Sequence, residues 1–356
     1  MNKITVSMEQ LYKIAVKLFL ASGYNEKDAA YAADVLVETD RRGVDTHGMT
    51  RLAFYHWSTT EGGINKNARL KILRDEPPFL MVDADNGLGI IMAPQAVELA
   101  IERAAEHGIC VMGVQKSNHY GAAGYYAAKC VDKGFITMVS SNSPPTAAPY
   151  GGKEKVLGNS PWSMALPGGN RHPDPVMFDM ACSEVSRGTC ETAQREGRQI
   201  PLGWGIDING EPSTDPAEVL KGSLLPFGGI KGYCVTLLVE AFSSILTFAS
   251  FGNGTDMAAG RHNTSHFVLL LDPAKFGDTA TYKDGVDAYV ENIKKTPLAP
   301  GAGEIIIPGE LEARAIKHRT KHGRELDEAV AASLVDVAVK CGLLADDRGF
   351  EEMLAW

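Results

Sequence analysis

The sequence predicts an α/β fold, with a central α/β domain between two helical chain ends. Residues 1–60 show helical periodicity, helix and strand patterns alternate in the middle of the chain, and the last part returns to helices. Because the termini of compact proteins often lie close together, we expect both ends to pack as one helical domain of residues 1–76 and 296–356. Residues 77–295 would then form the α/β domain.

The N-terminal helices are predicted from their capping residues and from the spacing of apolar residues. Ser7 with Gln10 fits a capping box, and Gly23 fits the C-terminal end of this first helix. A second helix is predicted over residues 25–42, and a third should begin after Thr46. We therefore expect the first 60 residues to be entirely helical.

Further along the chain, the apolar spacing predicts both kinds of element. In chain order these are a helix over residues 93–107, a strand over 109–114, a helix over 121–133, a strand over 135–140, a strand over 176–179, a helix from about Ser183, a long helix over 229–250, a buried strand over 267–271 and a helix near Pro308 and Glu310. The most apolar stretch, residues 233–251, contains Glu240, Ser243 and Ser244. It therefore predicts a buried helix rather than a membrane span.

Charge and cysteine content restrict the classes of function. Of 356 residues, 44 are acidic and 35 basic, and the net charge of −9 argues against a nucleic-acid-binding surface. Six scattered cysteines contain no Cys-x-x-Cys pair, and the polar segment from Met1 to Gln10 lacks the apolar core of a signal peptide. These features predict a cytoplasmic protein with reduced thiols, without a membrane segment.

The first candidate site is residues 45–51, DTHGMTR. His47 and Arg51 are four residues apart, so on a helix they would share one face. An imidazole can donate a proton to a carbonyl oxygen, and a guanidinium can hold a carboxylate with two parallel hydrogen bonds. This pair suits a 2-oxo acid, in which the two groups are adjacent. A helix cap followed by a surface His and Arg is the alternative that the spacing alone favours.

The second candidate site is residues 116–124, KSNHYGAAG, between a predicted strand and a predicted helix. Ligands of α/β proteins usually bind at the ends of strands. His119 could be a second acid/base residue at this position, or it could cap the helix that follows.

Two further segments are rich in glycine and could bind phosphate groups. The first comprises Gly151-Gly152 and residues 158–161, GNSP, whose backbone amides could contact a pyrophosphate or could form plain turns. The second is residues 226–232, PFGGIKG, in which Lys231 could contact a phosphate or a ribose, or could be a solvated loop residue. No G-x-G-x-x-G follows the first strand, so the Rossmann fingerprint is absent.

Taken together and in this order, these segments resemble one family, the malate/L-lactate dehydrogenase-like family. This family also includes sulfolactate, ureidoglycolate and 2,3-dioxogulonate dehydrogenases and a cyclic imino acid reductase. The most specific matching pieces are THG at residues 46–48 with Arg51, SNH at 117–119 with GAAG at 121–124, GNSP at 158–161, DMA at 179–181 and GGIKG at 228–232. The resemblance covers nearly the whole chain.

The resemblance implies an NAD(P)-binding domain with a mixed sheet that is not Rossmann-like, and a homodimer with its active site near the subunit interface. By matching positions, His47 and His119 are the candidate acid/base residues, Arg51 would hold the substrate carboxylate, and Thr46 stands beside them where Ser is usual. The implied nucleotide contacts are Ser143, Asp179, Met180, Ala181, Lys231, Gly309 and Glu310.

The implied activity is the interconversion of a small 2-oxo acid and its 2-hydroxy acid by direct hydride transfer, with NAD or NADP and without a metal. Reduction of a cyclic imino acid, such as piperideine carboxylate, would use the same carboxylate clamp and hydride donor and stays open. A metal-dependent hydrolase with Asp45, His47 and His119 as ligands is the alternative from another class, but no H-E-x-x-H motif supports it.

Overall fold

The structure of the protein is a computed structural model that describes residues 3–255, 263–346 and 349–356. Met1 and Asn2, at the start of the predicted polar segment and helical domain, lie outside the described residues. So do residues 256–262 and 347–348, which fall within the two predicted domains. Within the described ranges, no helix has both the length and the apolar character needed to cross a membrane.

Seven strands form a mixed sheet in the order β2-β3-β4-β10-β5-β6-β7. The described strands are β1 (Lys3–Val6), β2 (Lys71–Glu76), β3 (Phe79–Asp83), β4 (Ile109–Ser117), β5 (Ile136–Ser141), β6 (Trp162–Leu166), β7 (Val176–Met180), β8 (Gly205–Ile206), β9 (Ser223–Leu224), β10 (Thr264–Leu271) and β11 (Arg324–Asp327). Strands β3 and β4 are parallel, whereas all other neighbours in the seven-stranded sheet are antiparallel. This arrangement confirms the α/β fold class with a mixed sheet.

The helices cover the sheet and form the two chain ends. They are α1 (Met8–Ala21), α2 (Glu26–Arg41), α3 (Leu52–Thr60), α4 (Gly89–His107), α5 (Ala123–Asp132), α6 (Arg187–Arg195), α7 (Pro216–Lys221), α8 (Ile230–Ser243), α9 (Thr279–Lys294), α10 (Glu310–His322), α11 (Glu328–Lys340) and α12 (Phe350–Leu354). The capping box of Ser7 and Gln10 is present at the start of α1, and Asn25 caps α2. These helix starts were predictable because a cap is a local interaction.

Strands β4, β5 and β7 run in the same direction and end at the same edge of the sheet. This follows from the ladder, because β10 is antiparallel to both β4 and β5, and β6 is antiparallel to both β5 and β7. The chain segments that follow these three strands carry His119, Ser143 and Ala181. The topology therefore brings three of the predicted site segments to one edge, where ligands of α/β sheets bind.

The expectation that the first 60 residues are entirely helical is wrong. Strand β1 pairs antiparallel with β11, so that Val6 lies opposite Arg324 near the other end of the chain. Strand β2 was also not predicted, because its six residues are all exposed and show no alternation of apolar and polar side chains. Both strands are specified by their partners rather than by their own sequence.

The prediction of a long helix over residues 229–250 is wrong in length, and the prediction that residues 233–251 form a buried helix is wrong in burial. Helix α8 ends at Ser243, and its outer side and the segment after it are exposed: Leu238 is 61% exposed, Ile245 63% and Phe248 87%. Helix α8 has apolar side chains on more than one side, and the rest of the protein packs against only one of these sides. This exposed apolar surface is called the α8 face below.

One large core joins the chain ends to the sheet. It includes Leu11 of α1, Val114 of β4 and Leu334 of α11 in a single cluster of buried side chains. Two smaller clusters lie beneath α6 and α7 and beneath α9. The division into a helical domain and an α/β domain stays a prediction.

Candidate active site

A cleft of about 360 Å³ opens at the sheet edge where β4, β5 and β7 end. Residues from separate segments of the chain meet there. Of the predicted site residues, those that line the cleft are Thr46, His47, Arg51, His119, Ser143, Asp179, Met180 and Ala181. Lys231, Gly309 and Glu310 are not among the residues that line it. The fold thus gathers the acid/base and carboxylate-binding candidates at one small-molecule site.

His47 lies in a turn rather than on a helix. The turn follows α2, and a 3-10 helix over Met49–Arg51 separates it from α3. The predicted helical face shared by His47 and Arg51 is wrong, because Gly48 has φ −89° and ψ −138°, which no helix contains. Thr46 joins the two instead: its Oγ1 lies 2.9 Å from Nδ1 of His47, and its carbonyl accepts a 2.9 Å hydrogen bond from Nε of Arg51.

A cluster of charged side chains holds this turn in place. Arg324 of β11 forms an ion pair with Asp40 of α2, and both side chains are almost fully buried. Arg319 of α10 donates to Asp45 from Nη1 and, at 3.0 Å, from Nη2. A Cβ atom on Gly48 would overlap the carboxylate of Asp40, so only glycine fits. The C-terminal part of the chain therefore fixes the backbone that carries His47.

His119 follows β4 and faces His47 across the cleft. The two imidazole rings are stacked, with centroids 5.8 Å apart and planes 12° apart. Nδ1 of His119 lies 2.6 Å from the hydroxyl of Tyr55 and accepts a 3.3 Å hydrogen bond from the backbone N–H of Gly121. Since a backbone N–H can only donate, the neutral ring carries its proton on Nε2. The ring is oriented as acid/base histidines usually are, through a hydrogen bond to the other nitrogen.

The electrostatics of the cleft keep His47 neutral. Burial, and then the positive charge of Arg51, lower the pKa of His47 to about 4. At pH 7 the ring is therefore a proton acceptor. An anion bound to Arg51 would offset the guanidinium charge and raise the pKa of His47 again.

A buried histidine connects the strands beneath the site. His266 of β10 lies 2.8 Å from Oγ of Ser117 through Nε2 and 3.0 Å from Oγ of Ser141 through Nδ1. Its ring stacks on Tyr120, with centroids 4.2 Å apart. Burial lowers the pKa of His266 to about 3, so the ring is neutral. Because Ser117 and Ser141 end β4 and β5, His266 sets the spacing of the two strand ends that lead to His119 and to the next loop.

Ser143 is tied to the glycine-containing loop at residues 158–161. Its hydroxyl donates a 2.6 Å hydrogen bond to the side chain of Asn159 and accepts one of 3.3 Å from the backbone N–H of Ser160. On the other side of the loop, the buried carboxylate of Glu240 accepts hydrogen bonds from the backbone of Gly158 and the hydroxyl of Ser160, both 3.4 Å. Through Glu240, helix α8 therefore holds this loop on the side opposite Ser143.

Asp179, at the end of β7, accepts a 2.8 Å hydrogen bond from the backbone N–H of Gly124 in the first turn of α5. A Cβ atom on Gly124 would lie 2.8 Å from the same carboxylate oxygen, so the close approach requires glycine. Burial raises the pKa of Asp179 to about 6, and the bond from Gly124 acts in the opposite direction. This contact joins the end of β7 to the helix that follows His119.

The match to known proteins covers the segments that build the cleft. The family model for malate/L-lactate dehydrogenase matches residues 6–335. The chain belongs to this family. Malate/(S)-sulfolactate dehydrogenase of Methanothermus fervidus is 34% identical to this chain over 336 residues. The matched residues cover 94% of this chain and 97% of the relative.

Solved structures of other proteins share this fold over nearly the whole chain. Sulfolactate dehydrogenase from Methanocaldococcus jannaschii superposes with a TM-score of 0.89 at 33% identity, covering 98% of this chain and 99% of the other. The Δ1-piperideine-2-carboxylate reductase from Pseudomonas syringae has a TM-score of 0.84 at 26% identity, covering 94% of this chain and all of the other. Names of further relatives specify NAD(+) or NADP(+). The protein is a 2-hydroxy acid dehydrogenase that uses NAD or NADP.

The dehydrogenase has polar groups in the cleft that suit such a nucleotide. Oγ1 of Thr146, Oγ1 of Thr264 and the hydroxyl of Tyr120 are buried there, without a hydrogen-bond partner among the described residues. Buried hydroxyls normally have partners, and ribose and carboxamide groups would supply them. The residues present therefore fit a bound nicotinamide nucleotide.

Three predicted nucleotide contacts lie elsewhere in the dehydrogenase. Lys231 is exposed in the first turn of α8. Gly309 precedes α10 with φ +98°, and a Cβ atom there would lie 2.6 Å from the carbonyl of Pro175. The carboxylate of Glu310 pairs with Lys294 at 2.7 Å. Gly309 and Glu310 thus have structural partners in the chain, and the nucleotide-binding role of all three residues stays a prediction.

Several residues that shape the site were not found from the sequence. Asp40, Arg324, Glu240 and His266 lie on regular helices and strands, where a single charged or polar residue resembles a solvated one. Gly48 was the one available signal, since a glycine next to a candidate histidine indicates a close approach. Its neighbour, Asp40, could be identified only from the tertiary structure.

Proposed function

We propose that the dehydrogenase interconverts a small 2-oxo acid and its 2-hydroxy acid in this cleft, with Arg51 as the carboxylate clamp and His47 or His119 as the acid/base residue. The observation that carries the proposal is that the guanidinium of Arg51 and the two stacked imidazoles line one cleft. A 2-oxo acid places its carboxylate and carbonyl on adjacent carbons. The chemistry that a bound nicotinamide nucleotide supplies there is hydride transfer to or from the carbonyl carbon.

Arg51 is held in a way that leaves donors for the substrate. Its Nε donates a hydrogen bond to the carbonyl of Thr46, and this bond fixes the plane of the guanidinium. The Nη groups remain for the carboxylate, and α6 lies near them, since a Cβ atom built on Gly188 would lie 3.7 Å from Nη2. A planar guanidinium fixed at one nitrogen is suited to orient a carboxylate.

The two imidazoles offer different routes for the proton. His47 is neutral at pH 7 and can accept the hydroxyl proton during oxidation, and a carboxylate on Arg51 favours its protonated form for reduction. His119 has its proton on Nε2 and is oriented by Tyr55 and Gly121. The positive charge of Arg51 helps to stabilise oxyanion character at the carbonyl oxygen in either case.

The proposal is tested with a panel of 2-oxo and 2-hydroxy acids and both nucleotides, followed at the nicotinamide absorbance. Arg51→Lys should raise the KM for the acid by about tenfold or more, because a charged hydrogen bond is lost with the planar fork. Arg74→Lys, on the exposed edge strand β2, is the matched control and should leave the KM unchanged. An unchanged KM in Arg51→Lys would remove Arg51 from the carboxylate site.

Reduction of a cyclic imino acid is a second candidate, favoured by the likeness to the piperideine carboxylate reductase. The carboxylate clamp would serve both reactions, because the imino acid also has its carboxylate next to the C=N carbon. Including piperideine carboxylate in the panel separates the two. The hydrolase alternative is disfavoured because Asp45, one of its three supposed ligands, is bound by Arg319 and lies 3.6 Å from Nε of Arg324.

We also propose that the protein is a cytoplasmic homodimer that associates through the α8 face. The apolar residues there are exposed in the single chain, and contiguous exposed apolar surface marks an interaction site. The same helix carries Glu240, which holds the loop at residues 158–161 beside the cleft. An interface on α8 would therefore lie one helix away from the active site. The free thiols, including exposed Cys234, suit a reducing compartment.

A further inference from the structure

The carboxylate of Glu240 joins two separate stretches of backbone near the cleft. Its Oε2 accepts hydrogen bonds of 3.4 Å from the backbone N–H of Gly158 and from the hydroxyl of Ser160. Its Oε1 accepts one of 3.1 Å from the backbone N–H of Gly252, in the segment after α8. One buried side chain therefore fastens both the loop at residues 158–161 and the segment after α8 to the same helix.

Fold stability alone does not explain this carboxylate. Burial raises the pKa of Glu240, and the bonds from Gly252, Gly158 and Ser160 act in the opposite direction. No cationic side chain in the described part of the chain forms an ion pair with it. A buried carboxylate without a cation costs free energy, which hydrogen bonds offset only in part. We therefore expect Glu240 to matter for the arrangement that it holds.

The first arrangement contains a strained residue. Ser160 is fully buried and has φ +37°, a conformation that residues other than glycine rarely adopt. Its N–H donates to Oγ of Ser143 and its hydroxyl donates to Glu240, so contacts on both sides maintain this conformation. The preceding residue, Asn159, is bound to Ser143 and lines the cleft together with it. Glu240 thereby fixes the positions of Asn159 and Ser143.

The second arrangement leads to the residues next to Ser143 in the cleft. Two residues before Gly252, the carbonyl of Ser250 accepts a 2.7 Å hydrogen bond from the side chain of Asn142. The amide oxygen of Asn142 accepts one of 2.8 Å from the backbone N–H of Ser265. Both Asn142 and Thr264 line the cleft. The bond to Gly252 therefore supports this second group of cleft residues.

The residues proposed to bind the acid belong to other segments. His47 and Arg51 stand on and directly after the turn that follows α2, and His119 follows β4. The three hydrogen bonds of Glu240 all end on the two segments described above. Loss of the carboxylate should therefore shift one part of the cleft and leave the other part in place.

We propose that Glu240 is a positioning residue for the nicotinamide nucleotide. By holding two segments at once it sets the positions of Ser143, Asn159 and Thr264, so its loss weakens nucleotide binding and leaves acid binding unchanged. This inference rests on the proposed function, in which the same cleft binds the nucleotide and the acid. It does not depend on which acid is the substrate.

The test is a calorimetric titration of wild type and Glu240→Gln with NADH and with NADPH, without any acid present. Glutamine keeps the shape of the side chain but places an NH2 donor where the loops need an acceptor. The Kd for the nucleotide that the wild type prefers should rise about tenfold or more, as expected for the loss of a charged hydrogen bond. The KM for the best acid of the panel, measured at saturating nucleotide, should stay within about twofold of wild type, because the two parts of the cleft are independent.

Two further variants make the result specific. Glu352→Gln is the matched control, because Glu352 is exposed on α12 and does not line the cleft. It should bind the nucleotide as wild type does. Ser160→Ala removes one of the three donors to Glu240 and should weaken nucleotide binding in the same direction by a smaller factor. It replaces Glu240→Gln if thermal melting shows that the glutamine variant does not fold.

A nucleotide Kd within about twofold of wild type in the folded variant would overturn the proposal, since this is the agreement expected of independent sites. An increase in the acid KM as large as that in the nucleotide Kd would also overturn it, because that would indicate a general loosening of the cleft. If the wild type binds a nucleotide but reduces none of the acids, the proposed function fails, and the titration alone decides the role of Glu240. A wild type that binds neither nucleotide overturns both.

Discussion

The imidazole rings of His47 and His119 are stacked, with their centroids 5.8 Å apart, although the two residues belong to separate segments of the chain. His47 is carried by the turn after α2, and His119 by the loop after β4. Two imidazoles at this separation can both reach the reacting oxygen of one small substrate. Substituting each histidine in turn can therefore identify which of the two supplies the proton.

We expect at least one of His47→Ala and His119→Ala to lose turnover by roughly 10²-fold or more, as the loss of a general acid/base residue does. The residue that moves the proton should also lose the corresponding ionisation from the pH profile of kcat, whereas the other should mainly change KM. His318→Ala, an exposed histidine on α10, is the control and should be unaffected. Full activity of both active-site variants on the true substrate would show that neither histidine is catalytic.

Gly48→Ala should destabilise the turn that carries His47. The added methyl group would overlap the carboxylate of Asp40, which is fixed by Arg324. We expect a loss of about 1–3 kcal/mol in the free energy of unfolding, the usual cost of overpacking, together with a lower kcat. Urea denaturation and steady-state kinetics measure the two effects.

Gly285→Ala is the matched control for that variant. Gly285 lies within α9, and a Cβ atom there would meet nothing within 4 Å. The variant should be more stable by about 0.5–1 kcal/mol, because alanine loses less backbone entropy in a helix. Equal stability of Gly48→Ala and wild type would mean that Asp40 moves aside without cost and does not fix the turn.

Buried His266 should make stability depend on pH on the acid side. Its pKa is lowered to about 3 in the folded protein, against the ordinary histidine value of 6.5, so on acidification the unfolded chain binds the proton first. The free energy of unfolding should therefore fall as the pH decreases from about 6.5 towards 3, by up to about 1.4 kcal/mol per pH unit for this group.

His266→Gln separates this effect from the other titrating groups. The variant keeps hydrogen-bonding atoms for Ser117 and Ser141 but cannot titrate. The stability difference between wild type and variant, followed by urea denaturation from pH 7.5 to 4.5, should shift in favour of the variant as the pH falls. A difference that stays constant with pH would contradict the assignment of a neutral buried ring.

Leu238→Glu should convert a dimer into a monomer if the α8 face is the subunit interface. Leu238 is 61% exposed in the single chain, so the change should leave the folded monomer intact and act only on association. Leu202→Glu is the control, because Leu202 is 68% exposed and lies outside α8. Light scattering after size exclusion measures the mass. A dimer that survives Leu238→Glu would place the interface elsewhere.

Features that depend on neighbouring residues were predictable from the sequence. The capping box of Ser7 and Gln10 forms as expected, and the strand predicted over residues 176–179 is β7. Caps and apolar alternation are interactions over a few positions, so the local sequence contains them in full. The helix predicted from about Ser183 begins instead at Arg187, with Ser186 as its cap.

Features that depend on distant partners were not predictable in the same way. Strand β1 is a strand because β11 pairs with it, and the exposure of Leu238 depends on what the rest of the chain leaves uncovered. The sequence spacing predicted that His47 and Arg51 lie together, but for a wrong reason. The two residues share a cleft because Thr46 contacts both of them, not because a helix aligns them.

The sequence by itself determined which chemical groups this protein has: an imidazole and a guanidinium in residues 45–51, a second imidazole at His119, and a segment order that resembles one family. The tertiary structure decided which of them meet. It stacked His119 on His47, buried Arg324 against Asp40 to fix the turn, and placed Arg51 in the same cleft as both histidines. Such contacts join residues far apart in the chain, and only the packing of strands and helices brings them within reach.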